Sequence, residues 1–168
     1  ILIGKEAGIT LQESNQIFIG TGAGLSTTTA NNNIFIGKSA GASITTQPRN
    51  VVIGYNAMST GQASNNIIIG NEAGSMNNGD DNVFLGNLSG QFNNTGNNNT
   101  FIGSATGGSN DTGFGNTFLG RASGISNSGG SDNIFVGKEC GFSNINGVKN
   151  IFMGNQSGFT NYNGNDNI

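Results

Sequence analysis

Histidine is absent from all 168 residues, which removes the commonest general base, nucleophile activator and neutral metal ligand at once. The other groups with chemical capacity are few and scattered. Asp80, Asp81, Asp111, Asp132 and Asp166 could offer oxygen to Ca²⁺, yet each lies in an Asn- and Gly-rich stretch where Asp commonly forms turns, and the turn role is favoured. Gly20-Thr21-Gly22-Ala23-Gly24 has the look of a phosphate loop, but no helical period follows it, so nucleotide binding is not expected. Lys5-Glu6 and Lys138-Glu139 are solvated pairs worth under about 1 kcal/mol each. Cys140 is the only cysteine; it cannot close an internal disulfide and reads as a small packed side chain. Asn87-Leu88-Ser89, Asn93-Asn94-Thr95 and Asn110-Asp111-Thr112 fit the glycosylation acceptor pattern, which chance supplies readily in so Asn-rich a chain. No catalytic residue, metal site or cofactor is assigned, and the chain is not read as an enzyme.

Composition narrows the partners. A net charge of −3 with only six Lys and Arg gives no electrostatic track for nucleic acid. Apolar runs are a few residues long, so no membrane insertion is expected in this segment, and no secretion signal is visible. Charged residues are 9% and Gly numbers 30, unlike average globular usage. Recurrent Gly leaves no stretch with an uninterrupted helical period.

What organises these residues is repetition. One motif of 16 or 17 residues begins at Ile1, Ile17, Ile34, Val51, Ile67, Val83, Thr100, Thr117, Ile134 and Ile151, and Ile168 opens another. Each copy has three apolar or β-branched residues, a Gly, two variable residues, a small residue and a second Gly, then a polar loop ending in Asn. Such a period predicts an all-β parallel β-solenoid of ten coils, each burying its surface only against its neighbours. Residues 1–168 read as a single array. Because it opens and closes in mid-array, the expectation is a segment of a longer fibre protein.

Alignment of the copies gives each column a task. The opening residues predict a short strand closed by Gly. Alternation places its first and third residues on one face, as in Ile17 with Ile19, Ile34 with Ile36, Ile67 with Ile69 and Ile134 with Val136, and these are expected to fill the coil. The second residue then points outward: Leu2, Phe18, Phe35, Val52, Ile68, Phe84, Phe101, Phe118, Phe135 and Phe152. A stripe roughly 45 Å long at about 4.8 Å per coil would need covering, since burying each ring is worth about 1.5–3 kcal/mol. Identical chains meeting stripe to stripe are the favoured cover, with a trimer natural under cyclic symmetry and a packed pair or helical filament the competing geometries.

The Gly after the strand (Gly4, Gly20, Gly37, Gly54, Gly70, Gly86, Gly103, Gly120, Gly137, Gly154) never varies and reads as the first corner. Four residues on, the second Gly is interrupted only by Met58. The closing column, Asn33, Asn50, Asn66, Asn82, Asn99, Asn116, Asn133, Asn150 and Asn167 with Gln16 ahead of it, predicts a ladder of stacked amides. A second Asn column runs through Asn77, Asn93, Asn110, Asn127, Asn144 and Asn161. Early copies carry Thr27 to Thr29 and Thr45 to Thr46 there, which predicts a second strand. Tyr55, Tyr162 and Phe114 lie outside the strand columns; contact with sugars or a host surface is one reading, and packing between loops is favoured.

The run of Asn, apolar-apolar-Ile-Gly, two variable residues and Ala or Ser before a Gly turn, clearest in residues 16–24 and 33–41, resembles the head repeats of trimeric autotransporter adhesins and related arrays in phage and phage-like tail fibres. The likeness covers essentially the whole chain, although this repeat is two or three residues longer and prefers Phe at its second strand position. It implies a left-handed β-roll, three chains per fibre, and attachment to a host surface or glycan outside the cell or on a virion, with no catalytic residues. The expected function is a structural or adhesive fibre shaft. A secreted self-assembling filament is the alternative, and an ice-binding solenoid with Thr27 to Thr29 on its active face a weaker one.

Overall fold

A computed structural model describes residues 1–168 and contains no helix. Every copy of the repeat contributes one strand: β1 (Leu2–Ile3), β2 (Ile17–Ile19), β3 (Ile34–Ile36), β4 (Val51–Ile53), β5 (Ile67–Ile69), β6 (Val83–Leu85), β7 (Thr100–Ile102), β8 (Thr117–Leu119), β9 (Ile134–Val136) and β10 (Ile151–Met153). They form one parallel ten-stranded sheet in strict sequence order, with each column in register, as in Phe18 opposite Phe35 and Phe101 opposite Phe118. The chain is a β-solenoid. Outside the strands the coils still bond coil to coil, for example Gly24 N–H to Ala40 C=O at 3.0 Å and Ser39 N–H to Thr21 C=O at 2.9 Å.

Each corner has a physical cause. The strand-closing Gly holds φ between 120° and 150° in all ten coils, and in the first nine an added Cβ would lie 2.1–2.7 Å from the carbonyl oxygen of the same Gly in the next coil. Only hydrogen fits between backbones that close. Two residues later the chain enters the left-handed region whatever the residue type: Glu6, Ser39, Leu88, Ala105 and Glu139 have φ of 55–60°. The residue before the closing Asn does the same, at Asn15, Arg49, Asp81 and Lys149 among others.

The strand's faces are the reverse of the sequence expectation. Phe18, Phe35, Val52, Ile68, Phe84, Phe101, Phe118, Phe135 and Phe152 are buried inside the coils of a single chain; Leu2, in the first coil, is the one member left exposed. The proposed outward stripe therefore does not exist, and a three-chain axis lined by Phe loses its basis with it. Interior volume explains the reversal, because one coil encloses room for a single large strand side chain beside small ones. Phe18, for instance, lies over Gly24, where a Cβ would meet the ring at 2.5 Å, and shares the cluster with Ala7, Ala23 and Ala40. Two Ile per coil would overfill that space. Adjacent rings stack with centroids 4.7–5.3 Å apart and planes within 13°, in the range of offset aromatic pairs.

A second strand does not form at Thr27–Thr29 or Thr45–Thr46. Thr28 N–H does bond to Thr45 C=O at 2.9 Å, but Thr28, Thr29, Thr45 and Thr46 are themselves at bends, which leaves no extended segment for a strand. Thr27 is buried, whereas Thr28 and Thr45 are half-buried and Thr29 and Thr46 exposed, a run of open Thr confined to two coils.

Candidate functional site

Two polar ladders run through the interior. In the closing column each residue's side-chain oxygen accepts the backbone N–H of the next: Gln16 from Asn33 at 2.9 Å, Asn33 from Asn50 at 2.8 Å, and so on to Asn150 from Asn167 at 3.1 Å. Bonds between amides of this column join in at Asn66 and again from Asn116 onward, as from Asn116 Nδ2 to Asn99 Oδ1 at 3.2 Å. The expected amide stack is thus present, with a backbone donor as its constant element. The second column is the purer amide ladder. Asn93, Asn110, Asn127, Asn144 and Asn161 each donate Nδ2 to the Oδ1 of the preceding coil's Asn at 2.5–2.9 Å. The same nitrogens cap the carbonyls of Gly96, Gly113, Gly130, Gly147 and Gly164. Buried amides satisfied this fully fix coil register instead of penalising the fold.

Before Asn77 that second column holds Leu11, Thr27, Ile44 and Gly61. Between Leu11 and Ile44 the Thr27 hydroxyl is buried without a hydrogen-bond partner. Thr27→Val keeps the shape and removes the stranded hydroxyl, so a gain of about 1 kcal/mol is expected, visible as a raised denaturation midpoint.

The chemical candidates resolve into structural roles. Cys140 is buried and its thiol approaches the Phe152 carbonyl at 3.1 Å, the same bond that Ser89 makes to Phe101 and Ser123 to Phe135. Burial pushes its pKa up to about 11. Native protein should therefore resist thiol reagents at pH 8 and react only once unfolded. The folded pKa lies above the unfolded one, so the thiol's contribution is intact below about pH 8.5 and declines as pH rises toward 11. Cys140→Ser should remove that decline in a stability-against-pH profile.

Glu139 is held below the usual carboxylate range, first by the hydrogen bond from Gln156 and then by Lys138 and Arg121. Lys5 and Glu6 meet at 3.8 Å in solvent. Asp80 accepts the Ser64 N–H of the preceding coil at 2.7 Å, a bond between neighbouring coils. Asn93 and Asn110 of the acceptor patterns are buried in the ladder, whereas Asn87 is exposed. Tyr55, Phe114 and Tyr162 are exposed and do not fill space between loops. An open hollow of about 710 Å³ beside the first coil is lined by Ile1, Leu2, Leu11 and Ile17, with Glu13 its one charge.

What the sequence reading placed inside, the structure places outside. The first and third strand positions form two adjacent columns on the sheet's outer face: Ile17 and Ile19, Ile34 and Ile36, Val51 and Ile53, Ile67 and Ile69, continuing to Ile151 and Met153. With two such positions in each of ten coils the face has twenty residues. None is buried, and apart from Thr100 and Thr117 all are aliphatic or Met. Loops flank it on both sides, and its apolar columns run the whole length of the rod, whereas apolar residues elsewhere on the surface, such as Ile9, Leu25, Phe92 and the stacked Phe142 and Phe159, are interrupted by polar or small ones along their columns.

Fold and surface together define a β-solenoid repeat protein with a polar-laddered interior and one aliphatic face. Comparison with family models, curated proteins and solved structures finds no match to this chain. No helix is present that could cross a membrane.

Proposed function

We propose that the chain is a non-enzymatic shaft segment of a fibre working outside a cell or on a virion, where it sets distance and stiffness. The observation that supports this reading is the unbroken ladder from Gln16 to Asn167, which locks every coil to the next through buried bonds. Ten coils at about 4.8 Å make a rod roughly 43 Å long between its first and last strands. Stiffness along that length follows from stacking, since each coil is restrained by both neighbours. A host-surface or glycan receptor would be met by exposed rings such as Tyr55, Phe114 and Tyr162, or by parts of a longer fibre.

Antibodies raised against the folded rod should label thin projections on the surface of the producing cell or particle in electron micrographs. Labelling confined to the cell interior would sink this reading. Endless filaments grown by the purified chain would instead favour the self-assembling alternative.

A further inference from the structure

The outer sheet face is an unpartnered apolar surface, and its pattern specifies what could cover it. Its twenty residues fall at the low end of the 20–30 per side in a stable protein interface. They also recur at the sheet's own spacing of about 4.8 Å, so a rigid cover has to present apolar groups at the same interval over the same length. A second copy of this chain does so by construction.

Charges on the two rims select the arrangement. Following the strands, one rim carries Lys5, Glu6, Lys38, Glu72, Arg121, Lys138 and Glu139, the last already paired with Arg121 and Lys138 of its own chain; preceding them, the other carries Arg49, Asp81, Asp132, Lys149 and Asp166. When two copies meet face to face with their long axes parallel, a two-fold axis along the rods sets the following rim of each coil against the preceding rim of the same coil in the partner. Lys138 then falls beside an Asp132 and Tyr55 beside an Arg49, while Glu139 of the same coil is neutralised within its own chain by Arg121 and Lys138. In an antiparallel pair, following rims meet each other with coil order reversed, which sets Lys38 of the third coil against Arg121 of the eighth. A three-chain ring would divide one face between two neighbours, about ten residues each, half of what a stable contact uses.

We propose that the aliphatic face of β1 to β10 is a self-association surface that pairs with the same face of a second copy, in parallel and in register. Sheets packed this way lie about 10 Å apart with interdigitating side chains, and the pair is isologous, so every substitution counts twice. The proposal rests on the shaft reading only for its context; the pairing stands or falls separately.

Sedimentation and light scattering on the full chain should give a two-chain mass at micromolar concentration. Ile69→Lys and Ile134→Lys, each on an outward strand position, should weaken pairing by about a hundredfold, because each buries two unpaired cations, one from each copy, in an apolar contact. Their circular dichroism should remain that of the parent, showing that the coils still form. Lys138→Asp should weaken pairing more mildly, and adding Asp132→Lys should restore it, since the swap rebuilds the opposite-charge contact. A monomeric or three-chain mass, or a two-chain mass indifferent to all of these changes, overturns the proposal. Small-angle scattering separates the two readings: a monomer that is still a rod leaves the shaft reading standing, and a particle that is not elongated removes that reading itself.

Discussion

Gly86→Ala should unfold the stack around the sixth coil, at a cost of about 4 kcal/mol or more, while the same change at Gly154 costs much less. Both positions have a φ that L-residues rarely adopt, 139° and 120°, so backbone strain of about 1–3 kcal/mol applies to each. Only Gly86 faces another coil, where the new methyl would sit 2.4 Å from the Gly103 carbonyl oxygen; nothing lies within 4 Å of Gly154. The difference between the two variants' denaturation midpoints therefore isolates the backbone approach from the dihedral strain. Equal losses would show that the approach is soft and that φ alone makes glycine obligatory.

Val52→Phe and Met58→Gly, each harmful alone, should compensate when combined. Wherever the strand centre is Phe, the residue six positions on is Gly and lies against the ring, as with Phe35 and Gly41 or Phe101 and Gly107. The fourth coil departs from the rule twice, with Val52 at the centre and Met58 in the Gly position, and both are fully buried. The volume lost from one side chain is supplied by the other. Val52→Phe should overpack that space by about 1–3 kcal/mol, and Met58→Gly should open a cavity costing about 2–5 kcal/mol. The double variant should return to within about 1 kcal/mol of the parent, a coupling at the upper end for residues in contact. Met58 also holds φ at 44°, and restoring Gly relieves that strain. Additive losses in a denaturant titration would refute the shared-volume account.

Much of the fold was legible because repetition supplies its own alignment. Ten coils, one strand per coil, the invariant corner glycine and the Asn33 to Asn167 ladder all follow from columns that vary little. The orientation of the strand was not legible from its three residues, since Ile-Phe-Ile alternates equally well either way round. A usable signal lay outside them: Asn33 precedes Phe35 by two residues, so a buried ladder amide and the ring must share a face. The empty volume over Gly41 pointed the same way. The left-handed bends at Glu6, Leu88 and Ala105 had no sequence signature, because bonds between coils hold those φ values and leave residue type free. The candidate surface was misassigned with the strand's orientation, and the aliphatic columns were counted as core.

Hydrogen bonds between coils run along the rod, and this direction governs how it would yield under load. Tension applied at the two ends pulls successive coils apart in the line of their bonds, so the terminal coil peels first and its neighbour becomes the new end. Each release frees 16 or 17 residues, about 55 Å of chain at full extension, in exchange for a single coil's thickness. A stretched rod would thus lengthen in uniform steps, dissipating a sudden pull while the coils still stacked keep their shape.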